Sequence, residues 1–105
     1  MTYEDTITAL ADPTRRVIID RLRNGPLAVG AIADGMPISR PAVSQHLRVL
    51  SDAGLLTVSP SGNRRLYAIA PDGVDELRRY LDTLWDDALA AFARAADAKA
   101  KGQSK

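Results

Sequence analysis

The chain has 105 residues, enough for one domain with a single modest core and too few for a second independent core. Its hydrophobic fraction of 46% comes more from alanine than from aromatic residues, and this composition favours helices over stacked sheets. The absence of cysteine excludes disulfides, thiolate metal sites and thiol catalysis. The formal net charge of +1 does not by itself indicate a nucleic-acid-binding protein.

The first residues also give an expectation for the cellular location of the protein. The sequence MTYED is acidic and lacks the basic and then apolar pattern of a secretory signal. No apolar run approaches the length that is needed to span a bilayer. We therefore expect a cytoplasmic protein without a membrane partner.

The first third of the chain predicts three helices. A short helix covers Tyr3–Ala11. Asp12 can cap the next helix, which has Pro13 in its first position and ends before Gly25. Apolar residues at helical spacing predict a third helix over Leu27–Asp34.

The middle of the chain predicts a fourth helix and a β-hairpin. Ser39 is a good cap for a helix that runs to Ala53. The apolar runs Leu55–Val58 and Leu66–Ile69 flank the turn-forming residues Pro60–Asn63, which is the pattern of a strand, a turn and a strand.

A last helix is predicted over Asp72–Asp97, followed by a disordered tail at 99–105. Four helices, a small β-hairpin and a long helix, in that order, predict a mostly α winged helix-turn-helix fold in one domain, residues 1–98.

The fourth helix has one apolar side and one polar side. At about 100° per residue the apolar side holds Ala42, Val43, His46, Leu47, Val49 and Leu50. The opposite side holds Arg40, Pro41, Ser44, Gln45, Arg48 and Ser51. Ser44 and Gln45 carry donors and acceptors that suit base edges, and both arginines can pair with phosphate or guanine. The alternative is a merely solvated helix face, which more often carries glutamate and lysine.

The hairpin turn adds a second basic feature. Arg64 and Arg65 lie at or beside the turn, where they can reach a DNA phosphate or enter a minor groove. Between residues 40 and 70, four arginines stand against the single acid Asp52, so the positive charge is local. The two features together indicate a DNA-reading helix with a basic wing.

Across nearly the whole chain the sequence resembles the arsenic-repressor (ArsR) family of bacterial regulators. The segments that carry the resemblance are Ala9–Arg16 (ALADPTRR), Pro41–Leu50 (PAVSQHLRVL), Ala53–Leu56 (AGLL) and Arg64–Tyr67 (RRLY). The resemblance implies a dimeric, operator-binding repressor. It also implies that Ser44, Gln45 and Arg48 face the DNA and that the first and last helices form the dimer interface.

The long last helix predicts the same homodimer. It would extend ~39 Å at ~1.5 Å per residue, whereas a compact chain of this length spans about 33 Å. Its apolar stripe therefore lacks cover from its own chain, and a symmetric partner can supply that cover. The predicted interface residues are Ile7, Leu10, Leu81, Leu84, Trp85 and Leu89.

The resemblance does not extend to metal sensing. Metal-sensing members carry Cys-Val-Cys where this chain has Ala28–Gly30. Other members bind zinc with histidines and carboxylates on the last helix, where Asp82, Asp86 and Asp87 stand here without an imidazole. The only histidine, His46, is on the apolar side of its helix and is interpreted as a packed imidazole. We expect no metal and no cofactor.

The sequence predicts a sequence-specific DNA-binding repressor that binds a palindromic operator as a homodimer, and three other functions are alternatives to it. An enzyme needs a nucleophile with a base, a metal cluster or a phosphate-binding glycine loop, and the sequence supplies none of these. A winged helix that binds only protein would have no reason to present four arginines together. Control of the repressor by a small ligand is neither supported nor excluded.

Overall fold

A computed structural model describes residues 3–103 of the chain. The helices are α1 (Tyr3–Leu10), α2 (Pro13–Arg21), α3 (Val29–Ala33), α4 (Arg40–Asp52) and α5 (Pro71–Gln103). The strands are β1 (Leu27–Ala28), β2 (Leu56–Ser61) and β3 (Arg64–Ile69). The predicted fold class, mostly helical with a small antiparallel sheet, is confirmed.

The predicted capping residues form the helix starts. The Asp12 carboxylate accepts hydrogen bonds from the backbone N–H groups of Thr14 (2.8 Å) and Arg15 (3.2 Å), and Pro13 occupies the first turn of α2. The hydrogen bond from the backbone of Arg15 is the largest cause of a lowered pKa of Asp12. The bond from Thr14 and the nearby side chains of Arg15 and His46 lower this pKa further. At the start of α4, Ser39 Oγ accepts from the backbone N–H of Ala42 at 3.3 Å. Both helix starts thus depend on local hydrogen bonds that the sequence predicts.

The predicted helix over Leu27–Asp34 is wrong in its first two residues. Leu27 and Ala28 form β1, which pairs with Tyr67 and Leu66 of β3, so the sheet has three strands in the order β1-β3-β2. Ala28 offers no side-chain cap to the helix that follows. Its backbone instead pairs with the edge of β3 that β2 leaves open, and this pairing satisfies backbone groups that a helix start would expose.

The hairpin is longer than predicted and the last helix is also longer. β2 and β3 pair as far as Ser61 and Arg64, which leaves Gly62 and Asn63 as the turn, and Gly62 has a φ of +61°. α5 continues past its predicted end and covers residues 99–103 of the predicted disordered tail, while Ser104 and Lys105 lie outside the described residues. The alanine-rich sequence favours this continuation.

One glycine lets α5 start directly against the body of the domain. A Cβ on Gly73 would overlap the carbonyl oxygen of Gly54, in the connection between α4 and β2. Gly54 itself has a φ of +81°, which ends α4 sharply. The first turn of α5 therefore packs on backbone. α1 also packs on α5, Leu77 and Tyr80 are half-buried, and the helix extends beyond the domain from Leu81 onward.

The core lies between the helices and one face of the sheet. The largest fully buried side chains are Ile18, Ile32, Val43, Leu47, Leu50 and Leu55. Three of them come from α4, as its predicted apolar side requires. Val49 is the exception: it is 42% exposed and faces a groove between α1 and α4 rather than the core. The reason is that Val49 lies about 120° around the helix from the fully buried Val43, at the edge of the predicted apolar side.

The contrast between Leu47 and Val49 gives a stability test. Leu47→Ala removes a fully buried side chain and should reduce the free energy of unfolding by about 2–5 kcal/mol. Val49→Ala changes a half-exposed side chain of the same helix and should cost less than about 1 kcal/mol. Urea unfolding followed by circular dichroism measures both changes. Equal losses would contradict the orientation assigned to α4.

Asp12 gives a test of pH dependence. Because its pKa is lowered on folding, ionised Asp12 stabilises the protein at neutral pH, and this contribution is lost as the pH falls through the lowered pKa. Asp12→Asn keeps a capping oxygen without the charge. Its stability deficit relative to wild type should therefore shrink between pH ~7 and pH ~3. Asp20→Asn, an exposed site on the same helix, controls for net charge, and a deficit that stays constant would argue against the Asp12 assignment.

Candidate nucleic-acid interface

The outer face of α4 carries the side chains that were predicted from the sequence to face DNA. Burial of Val43 and Leu47 turns Ser44, Gln45 and Arg48 outward, and all three are exposed. α3 packs against α4 as the first helix of the helix-turn-helix pair. A face of short and medium polar side chains can approach the floor of a DNA major groove and form hydrogen bonds to base edges there.

The first turn of α4 carries the two remaining selected residues of this helix. Arg40 and Pro41 are both exposed there, and Pro41 occupies a first-turn position whose N–H would have no intrahelical partner. Within residues 3–103, the Arg40 side chain has no hydrogen bond or ion pair. Arg48 lies 4.0 Å from Asp52, but both side chains are largely solvated, so this ion pair is weak. Both guanidinium groups are available to an anionic ligand.

The wing arginines lie on opposite faces of the hairpin. Arg64 and Arg65 are the first residues of β3, the central strand, and pair with Ser61 and Pro60 of the edge strand β2. Successive side chains of a strand alternate between faces. Arg65 faces α4 and lines the cleft between helix and wing, whereas Arg64 does not. Arg65 therefore belongs to the same surface as the outer face of α4.

The cleft between α4 and the wing has a volume of about 500 Å³. It is lined by Ser44, Arg48, Ser51, Val58, Arg65 and Tyr67. Sequence reasoning did not select Val58, Ser51 or Tyr67, although Ser51 was on the predicted outer side of the helix. Ser51 Oγ is buried and has no hydrogen-bond partner among the described residues. The sequence does not indicate that Tyr67 lines this cleft, because the pairing register of the hairpin decides which side chains of β3 face α4.

Three other arginines are committed to the fold. Arg15 Nε donates to the carbonyl oxygen of Ala9 at 2.5 Å, and Arg16 Nη1 donates to that of Leu10 at 2.9 Å. Arg21 Nη1 donates to the carbonyl oxygen of Ile32 at 2.9 Å. These carbonyls lie at or near the C-terminal ends of α1 and α3, where helices leave acceptors unsatisfied. The ALADPTRR segment therefore joins two helices.

The predicted dimer residues form an exposed apolar surface on α5 and one edge of α1. Leu10 is half-buried against the core, and Ile7 is exposed. On α5 the predicted interface residues Leu81, Leu84, Trp85 and Leu89 are all exposed, and so is Phe92 beyond them. Trp85 is 65% exposed and Phe92 is 74% exposed. Side chains of this size are rarely left so open in a monomer.

The described part of the chain contains no group of three or more histidines and acids that could hold a metal ion. His46 is half-buried on α4. Asp82 lies beside apolar residues of α5, and Asp86 and Asp87 are exposed. None of the helices in residues 3–103 combines the length and the apolar character that crossing a membrane requires.

A helix-turn-helix pair followed by a basic hairpin defines a winged helix-turn-helix protein. A family model described as a helix-turn-helix domain matches residues 10–59. The chain is 52% identical over 91 residues to the HTH-type transcriptional regulator Rv2034 of Mycobacterium tuberculosis, an alignment that covers 87% of this chain and 85% of the relative.

Solved structures agree with this classification. A possible transcriptional regulator for arsenical resistance matches with a TM-score of 0.73 and 40% identity, over 87% of this chain and 95% of that one. A homodimeric winged helix-turn-helix DNA-binding domain from Mycobacterium bovis matches with a TM-score of 0.64 and 31% identity, over 80% of this chain and 78% of that one. The chain belongs to the ArsR family of DNA-binding transcriptional regulators, and the family is not one of enzymes.

Proposed function

We propose that this protein is a sequence-specific repressor that binds a palindromic operator as a homodimer. The observation that carries the proposal is the outer face of α4, where Ser44, Gln45 and Arg48 are exposed beside the wing arginine Arg65. If the outer face of α4 were merely solvated, nothing would explain the basic hairpin beside it. A major-groove reader uses both, since base contacts give specificity and phosphate contacts fix its position.

The residues divide into two roles. Ser44 and Gln45 contact base edges, and glutamine can make a bidentate pair with adenine. Arg40 and Pro41 in the first turn of α4, with Arg64 and Arg65 in the wing, lie along the phosphate backbone. Arg48 can serve either role, because a guanidinium pairs with guanine as well as with phosphate.

A second copy of the chain is the cover for α5. This helix has 33 residues, and the molecule is 74 Å in its longest dimension but 27 Å and 22 Å in the others. Its apolar residues from Leu81 onward therefore lie beyond the body of their own domain. The Mycobacterium bovis relative is homodimeric. A two-fold axis through α5, with Ile7 and Leu10 of α1 at its edge, would repeat the reading helix and thus require a palindrome.

Repression is the mode of regulation that these two surfaces support. A dimer that occupies its operator blocks other proteins from the same DNA, and this needs only the DNA-binding surface and the dimer interface. Activation would need a further surface for the transcription machinery. Outside the two surfaces, the exposed large apolar side chains of the described residues are the valines Val17, Val49 and Val74.

Substitutions of base-reading and of phosphate-binding residues should change DNA binding in different ways. Gln45→Ala should weaken binding to the operator by about 1–3 kcal/mol, change binding to random duplex little and relax one position in each half-site. Arg64→Ala and Arg65→Ala should weaken binding to both duplexes. Each should reduce the slope of log affinity against log salt by up to about one unit. Salt titrations on an operator selected from a random pool, and on its scrambled version, measure both effects.

Arg23→Ala is the matched control for the wing. Arg23 is an exposed arginine of the chain with an ion pair to Asp20 at 3.7 Å, on the side of the domain that faces α5. This substitution should leave affinity and salt slope unchanged. Wing variants that kept the wild-type slope and lost only operator preference would reverse the assigned roles.

The dimer can be tested by placing one charge on either side of α5. Leu84→Asp puts a carboxylate in the apolar surface and should raise the dimer dissociation constant at least about a hundredfold, because two leucines worth about 1.5–3 kcal/mol each lose their cover. Ala90→Asp introduces the same charge at least about 100° around the helix from every apolar residue of that surface and should have no such effect. Light scattering at micromolar concentration measures both. A monomeric wild type, or a Leu84→Asp variant that stays dimeric, would rule out this interface.

A further inference from the structure

The guanidinium group of Arg40 lies against the backbone of α3 at Gly30. An ideal Cβ built on Gly30 would lie 2.5 Å from Arg40 Nη2, 3.1 Å from Cζ and 3.7 Å from Nε. The first of these distances is shorter than any real contact of a Cβ atom. Arg40 can therefore occupy this position only because residue 30 has no side chain.

Glycine is otherwise a poor choice at residue 30. The residue lies inside α3, between Val29 and Ala31, and glycine is less favourable than alanine within a helix. Its φ is not in the left-handed region that would favour glycine, since the positive-φ glycines are Gly25, Gly35, Gly54 and Gly62. Backbone conformation gives no reason for a glycine here, whereas the position of Arg40 does.

The position of Arg40 suits a phosphate contact. Arg40 begins α4 and Gly30 lies in the first turn of α3, so the guanidinium lies between the first turns of the two helices of the pair. In helix-turn-helix complexes the second helix enters the major groove while the first crosses the sugar-phosphate backbone. Arg40 has no hydrogen bond or ion pair to residues 3–103, and its side chain is exposed. Its charge is thus uncompensated where the backbone would pass.

We propose that Gly30 is a positioning residue for DNA binding: the absence of a side chain at Gly30 leaves free the space in which the Arg40 guanidinium lies and from which it contacts a DNA phosphate. This inference rests on the proposed function and adds a residue that does not itself touch DNA. A guanidinium that fits this space can reach the phosphate without displacing a neighbouring side chain. A methyl group at residue 30 displaces the guanidinium and removes that advantage.

The test is a double-mutant cycle on full-length protein with a short random-sequence duplex, because a phosphate contact is independent of sequence. Gly30→Ala should weaken binding several-fold and reduce the salt slope by up to about one unit, as Arg40→Ala does. Gly30→Ala combined with Arg40→Ala should be no weaker than Arg40→Ala alone. The unfolding temperature of Gly30→Ala should be unchanged or higher, since alanine favours the helix. Weaker binding by a protein of equal or greater stability cannot come from misfolding.

Two further variants separate positioning from a direct effect of the methyl group. Arg40→Lys keeps the charge on a slimmer group without the planar guanidinium, so adding Gly30→Ala to it should change nothing. Ala31→Ser alters an exposed neighbour in α3 and should leave affinity unchanged. Additive losses in the cycle, a loss that persists in the lysine background, or unchanged or tighter binding by Gly30→Ala would each overturn the proposal. Failure of the wild type to bind duplex DNA would instead overturn the proposed function.

Discussion

The burial of one edge of α4 is the constraint on which the rest of the structure depends. Val43, Leu47 and Leu50 are fully buried, and together they set the rotation of the helix about its own axis. With about 100° between successive residues, burying these three forces Ser44, Gln45 and Arg48 to the outside. The core therefore determines which face of α4 is exposed and available to DNA.

The second constraint is how the arginines are divided between the fold and the surface. Arg15, Arg16 and Arg21 donate to main-chain carbonyls near the ends of α1 and α3. Arg40 and Arg65 make no such bonds among residues 3–103 and are exposed. A net charge of +1 conceals this division, because it counts both kinds equally. What matters for a polyanion is the number of cations left without a partner on one face.

The sequence predicted correctly those structural features that depend on interactions between residues a few positions apart. The caps at Asp12 and Ser39 were predicted correctly because a capping side chain bonds to N–H groups two or three positions away. The strand Leu27–Ala28 was missed because two residues form a strand only through a partner, and β3 lies far away in the chain. Val49 was assigned to the apolar side by helical periodicity, but it lies at the edge of that side, about 120° from Val43, where burial depends on what packs there.

The candidate site follows the same division between local and distant information. Periodicity within α4 was sufficient to select its outer face. That Arg65 rather than Arg64 lines the cleft depends on the pairing register of the hairpin and on how the sheet packs against α4. The contact between Arg40 and Gly30 joins two helices, and nothing in either segment alone indicates it. Chemistry at a site can be inferred from residue types, whereas positioning requires the packed structure.

α1 connects the two surfaces on which the proposed function relies. It packs on α4, where Thr6 Oγ1 donates to the carbonyl oxygen of Ala53 at 3.5 Å, and it also packs on α5. Ile7 of the same helix is exposed at the edge of the proposed dimer interface. In a dimer with its axis through α5, the distance between the two reading helices is therefore set through α1, together with the contact between Gly73 of α5 and Gly54 after α4. Because DNA half-sites repeat at fixed helical spacing, a small shift of α1 against α5 would misalign one reading helix while leaving each domain intact.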